Sequence, residues 1–135
     1  MLAKEPANGN ALELVPLTVN DLVTRIRQAS ERLTEDNLSR VFLVLASRFD
    51  DLAHVVRSEV WRSELEFLSV GFGVTGTTIR GEMKDAQQDL KKKTVESLKA
   101  GLLTISEHLG KQDWVQVHYG IRDLYSVAHR AELSI

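Results

Sequence analysis

Three groups of residues in this chain could do chemistry: a glycine- and threonine-rich stretch ending in an arginine, four histidines, and a cluster of lysines. Gly71-Phe72-Gly73-Val74-Thr75-Gly76 has the GxGxxG spacing of dinucleotide-binding turns. There, glycines let the backbone turn sharply from strand to helix and bring amides up to a pyrophosphate. That use needs a preceding strand, and the flanking segments offer none. Glu96 lies at a suitable distance for a ribose contact but on a segment of helical pattern, so the spacing reads as a chance match. A smaller anion site is the candidate that remains. Thr75, Gly76, Thr77 and Thr78 precede a predicted helix, with Arg80 close by, and free amides at a helix start bind phosphate or carboxylate. The plainer alternative is that Thr77 or Thr78 only caps that helix while Arg80 faces solvent.

His118, Arg122, Tyr125 and His129 step by four, three and four residues and so share one side of a helix. Eleven residues of helix set the two histidines about 16 Å apart, too far to share one metal ion. Asp51 and His54 form half of the acid-x-x-His pair used by di-metal bundles, and no second copy exists. No metal and no cofactor is expected. His108-Leu109-Gly110-Lys111 resembles the active stretch of histidine-phosphotransfer domains, which are helical bundles of this size. Glycine and lysine stand here in the reverse order. The resemblance implies a phosphate carried on His108. Lys91, Lys92 and Lys93, with Lys84 and Lys99, are interleaved with Glu82, Asp85, Asp89 and Glu96, the pattern of a solvated helix face.

Composition narrows the classes further. The chain has 135 residues, 43% hydrophobic and 27% charged, with 17 basic against 19 acidic residues. That is one domain of globular character, without the basic excess of a nucleic-acid binder. The absence of cysteine excludes disulfides and thiolate chemistry. No apolar run approaches the roughly 20 residues of a membrane span. A cytoplasmic protein is expected, with residues 1–17 a flexible leader and 18–135 a single domain.

Apolar periodicity supplies the elements that would position these groups. Thr18 and Asp21 form a start signal for a first helix over 19–33, with Leu22, Ile26, Ala29 and Leu33 on one stripe. Thr34 to Asn37 can cap a second helix; the alternative is that the first continues through. Leu38, Phe42, Leu45, Phe49, Leu52 and Val56 form a heptad-like seam, and the apolar face continues through Val60, Trp61, Leu65 and Leu68. Four of the eight glycines then fall between Ser69 and Gly81, which predicts a turn. A third helix is expected over 82–109 and ends at Gly110. Asp113 and Gln116 open a fourth helix carrying Trp114, Val117, Ile121, Leu124, Ala128 and Ala131.

These elements predict an all-α, antiparallel up-and-down four-helix bundle with a long central helical hairpin. Its second and third helices would outrun the first and fourth and leave the glycine-rich tip uncovered. A tip that apolar marks an interaction surface. Trp61, Leu65, Leu68, Phe72, Val74 and Met83 are the expected protein-binding anchors. The function that follows is non-catalytic protein–protein interaction, as an adaptor, scaffold or regulatory subunit that pairs with itself or another protein. Neither nucleic acid nor a membrane is an expected partner. Cover of the tip by the leader's Leu12, Leu14, Val15 and Leu17 is the alternative to a partner. A small regulatory domain, binding an anion at the glycine-rich turn or carrying phosphate on His108, is the alternative function.

Overall fold

A computed structural model describes residues 18–133 of the chain, with side chains placed for 18–129. The expected leader, residues 1–17, lies outside the described residues. Among the described residues there are five helices, where four are expected: α1 (Val19–Arg32), α2 (Leu38–Ala53), α3 (Glu59–Glu82), α4 (Gln88–Gly110) and α5 (Trp114–Leu133). Among the described residues no helix is long and apolar enough to cross a membrane.

Local chemistry sets most of the ends. The Thr18 hydroxyl accepts the Asp21 N–H at 3.3 Å while the Asp21 carboxylate accepts the Thr18 N–H at 2.7 Å, so α1 opens on a complete capping box. Asn37 ends one helix and starts the next: its Oδ1 accepts the Thr34 N–H at 2.8 Å and its Nδ2 donates to the Arg32 carbonyl at 2.7 Å. The expected stop at Gly110 falls at the last residue of α4. The left-handed turn that follows is carried by Gln112 at φ 54°, where Asp113 N–H donates to the His108 carbonyl and Gln112 N–H to that of Leu109, both at 2.9 Å. That double closure is a Schellman motif built without glycine at the left-handed position.

Three boundaries differ from expectation, one being that the helix expected over 82–109 starts only at Gln88, after a turn at 83–85. The predicted long second helix breaks at 54–58, where the Ser58 hydroxyl accepts the Trp61 N–H at 3.3 Å and restarts the chain as α3. Residues 69–81, predicted as a turn, lie inside α3, and among the described residues no glycine takes a positive φ. These glycines serve close approach between helices. A Cβ on Gly71 would collide with Ile121 of α5, and one on Gly76 would stand 3.1 Å from Phe42 and Leu43 of α2. The expected hairpin across the glycines is therefore replaced by a hairpin of α2 on α3.

The helices close a cycle of contacts: α1 on α2, α2 on α3, α3 on α5, α5 on α4, and α4 on α1. The Ser39 hydroxyl donates to the Gly76 carbonyl at 2.9 Å and the Ser69 hydroxyl to that of Ala46 at 2.7 Å, so α2 and α3 are antiparallel. Gly101 against Leu124 and Gly120 against Ile105 set α4 and α5 antiparallel. The Ser30 hydroxyl bonded to the Lys99 carbonyl, with Val23 against Gly110, does the same for α1 and α4. The pair α3/α5 is parallel: Trp61 meets Trp114, Glu64 meets His118, Gly71 meets Ile121 and Glu82 meets His129. Phe42, Phe49 and Phe72 fill the centre, with ring centroids 6.2 and 5.6 Å from Phe72 to the other two.

Two predictions follow from these contacts. Gly71→Ala should destabilise by about 1–3 kcal/mol through overpacking, despite alanine's better helix propensity. Gly81→Ala, where no atom lies within 4 Å of the added carbon, should leave stability unchanged or raise it by up to about 1 kcal/mol; denaturant midpoints of the two variants read the contrast. The second concerns His54, whose Nδ1–H donates to the Asp50 carbonyl at 2.7 Å at the end of α2. That bond, aided by the Asp50 carboxylate, raises the imidazole pKa above its ordinary 6.5. A raised folded pKa contributes stability that is fully present below pH 6.5 and is lost as pH rises through the raised value. An NMR titration of the His54 ring should show a midpoint above 6.5, and Asp50→Asn should lower it.

Candidate functional site

The parallel pair α3/α5 gathers the aromatic and titratable groups. At its N-terminal end Trp61 packs edge-on against Trp114, centroids 5.2 Å apart at 85°. One turn along, His118 Nε2–H donates to the Glu64 carboxylate at 2.7 Å, and the imidazole lies over Phe67 at 4.1 Å. At the far end His129 Nδ1 stands 3.4 Å from Glu82, and its ring is stacked 5.8 Å from that of Tyr125. Between these two rungs runs a groove of about 470 Å³ lined by Phe67, Gly71, Val74, His118, Tyr119, Ile121, Arg122 and Tyr125. The Arg122 guanidinium rests over the Tyr119 ring, 5.1 Å from its centroid. Of the stripe read from sequence, His118, Arg122 and Tyr125 form one wall of the groove and His129 lies beyond its end, and each histidine is held by a glutamate of α3.

Of the six expected anchors only Val74 is exposed. Trp61, Leu65, Leu68, Phe72 and Met83 are buried core residues, which corrects the expectation of an uncovered tip. They are covered because α5 runs alongside α3 instead of stopping short of it. The anion site does not form either. Thr75, Gly76, Thr77, Thr78 and Arg80 lie inside α3, so their amides are spent on helical bonds. Thr75 is buried with its hydroxyl unpartnered, and the Gly76 carbonyl accepts Ser39. His108 sits in the last turn of α4, partly buried, with Nδ1 shut off from solvent and without a hydrogen-bond partner. Among the described residues, no three His, Asp or Glu side chains converge to hold a metal ion.

A second apolar feature of α3 faces outward. Val60, Phe67, Val74 and Gly81 recur every seven residues, with Ser63, Val70 and Thr77 three positions after the first three. All seven are exposed; Val60 retains 65%, Phe67 37%, Val70 64% and Val74 46% of their accessible surface. These are the a and d positions of a heptad seam over three repeats. The core-facing stripe of Trp61, Leu65, Leu68, Phe72 and Ile79 occupies the opposite side of the same helix. Two apolar stripes on one helix blur the sequence pattern, and only their separate periods could have told them apart. Comparison with protein-family models, with curated proteins and with solved structures finds no match to this chain.

The Glu64–His118 pair is half in solvent, its histidine side chain 43% exposed. Coupling between Glu64→Gln and His118→Ala in a double-mutant cycle should therefore come to only about 0.2–1 kcal/mol. A value of several kcal/mol by denaturant unfolding would give the pair a larger structural role than its exposure allows.

Proposed function

We propose that this chain is a non-catalytic protein–protein interaction domain, an adaptor or regulatory subunit, and that it self-associates through the outward seam of α3. One observation carries the proposal: Val60, Phe67, Val70 and Val74 form an exposed apolar row along a helix whose other face already fills the core, with Phe67 and Val74 also bordering the groove against α5. Exposed valines at such positions are costly in water and gain most from a second helix. Tyr119 and Tyr125 of α5, both exposed beside the seam, extend the apolar area.

Charge placement selects the pairing. Glu59 and Arg80 occupy g positions at opposite ends of the seam, and neither has an ion-pair partner within the described residues. In an antiparallel coiled coil g positions meet g positions, so Glu59 of one copy meets the partner's Arg80, and the symmetry makes that contact twice. A parallel pairing would set Glu59 against the partner's Glu64, two like charges. The antiparallel homodimer is the better fit.

Light scattering across a concentration series tests this. The wild type should reach the dimer mass, and Phe67→Glu or Val70→Glu should hold it at the monomer mass with unchanged helical circular dichroism. Glu59→Arg should weaken the dimer, and the added Arg80→Glu should restore it. A wild type that stays monomeric at every concentration sinks the reading.

A further inference from the structure

A cleft of about 780 Å³ opens between α1 and α2, on the side of the cycle where helix packing is sparsest. Four arginines line it, Arg25 and Arg32 from α1 and Arg40 and Arg48 from α2. Seven and eight residues of helix set the members of each pair about 10–12 Å apart along the walls. Glu31 is the single acidic residue in the lining, and no lysine contributes. None of the four arginine side chains makes an ion pair within the described residues. The Nε–H of Arg25 is shut off from water without an acceptor. A buried donor without a partner is destabilising, the more so when it belongs to a charged group. Four like charges facing one space add repulsion to that cost. An anion in the cleft would answer both.

We infer that the α1/α2 cleft binds a small molecule carrying at least two phosphate groups. Arginine presents a planar fork that grips phosphate oxygens in pairs, and the lining takes all its cations from arginine although lysine is frequent elsewhere in the chain. Four arginines offer more N–H donors than one phosphate group can engage, which suits a contiguous di- or triphosphate. Val41, Val44 and Leu45 supply an aliphatic wall against which a planar or apolar body can lie. The volume falls within the roughly 300–1,000 Å³ of small-molecule sites. Extended nucleic acid fits poorly, because a net charge of −2 provides no wider positive field to follow its backbone. This site stands apart from the α3 seam and does not depend on dimer formation.

The test is calorimetric titration of the full chain with ATP, inorganic pyrophosphate and citrate at about 0.1 M salt, where screening acts beyond about 10 Å. ATP and pyrophosphate should bind saturably at one site per chain, more tightly than citrate, and should raise the unfolding temperature by mass action. Arg25→Gln and Arg40→Gln should each weaken binding about tenfold or more, the loss of one charge-assisted bond. Lys92→Gln, on the solvated face of α4, should leave it unchanged. Folding of each variant is read by its circular dichroism, and amide shifts confined to residues 25–48 place the ligand. No saturable binding at millimolar pyrophosphate and ATP overturns the inference. So does citrate binding as tightly as pyrophosphate, or Lys92→Gln weakening binding as much as the arginine substitutions.

Discussion

The packing of this molecule is governed by a parity constraint. Its five helices alternate in direction along the chain, as each short connection reverses the path. Their contacts close into a cycle whose order is α1, α2, α3, α5, α4. Around a cycle with an odd number of members, neighbours cannot all be antiparallel, so at least one pair must run the same way. That pair is α3/α5. Its dipoles lie side by side with like ends together, an arrangement that antiparallel neighbours avoid. Short-range contacts outweigh it. Gly71 lets Ile121 approach closely, Trp61 and Trp114 lock the two N-terminal ends, and two Glu–His pairs tie the flanks.

Much else follows from that one pair. With α5 laid along α3, five of the six residues expected to stand uncovered become core, and the exposed apolar row of α3 runs beside the α3/α5 groove. The helix is amphipathic twice over. Its inner stripe is used within the chain, while the outer one is what the self-association reading rests on. Helix α2, meanwhile, contributes Phe42 and Phe49 to the core and Arg40 and Arg48 to the cleft. Steps of seven and eight place the two pairs on different faces of one helix.

Legibility in the sequence tracked how local each determinant was. Thr18, Asp21, Asn37 and Asp113 act within five residues of themselves, so the starts of α1, α2 and α5 are readable. The single-faced stripes of α1 and α5 were readable for the same reason. The glycines of 71–81 are ambiguous in sequence because an absent side chain has two uses, backbone freedom and close approach, and only the neighbouring helix tells which applies. The break at 54–58 was missed because apolar spacing runs through Val56 without interruption, although Ser58 followed by Glu59 carried a start signal. The His118–His129 stripe was visible as a stripe. Its glutamate partners, 54 and 47 residues away in sequence, were not. The arginine cleft was equally invisible, since nothing within α1 or α2 alone indicates that the two helices face each other.

The contact order also has a consequence in time. On an emerging chain the α2–α3 hairpin can form as soon as both helices are made, and α1 can then fold beside it. Helix α4 follows α3 in sequence but does not belong to the same packed pair, so it has only α1 to rest against. The apolar side that α3 and α4 will share with α5 therefore stays wet until residues 114–133 arrive. During that interval the part of the inner stripe of α3 that α5 will cover, Trp61 included, stays open to water, while α2 already covers Phe72. A helper that shields apolar surface would find its longest opportunity there, in the moments before α5 slides in as the final stave.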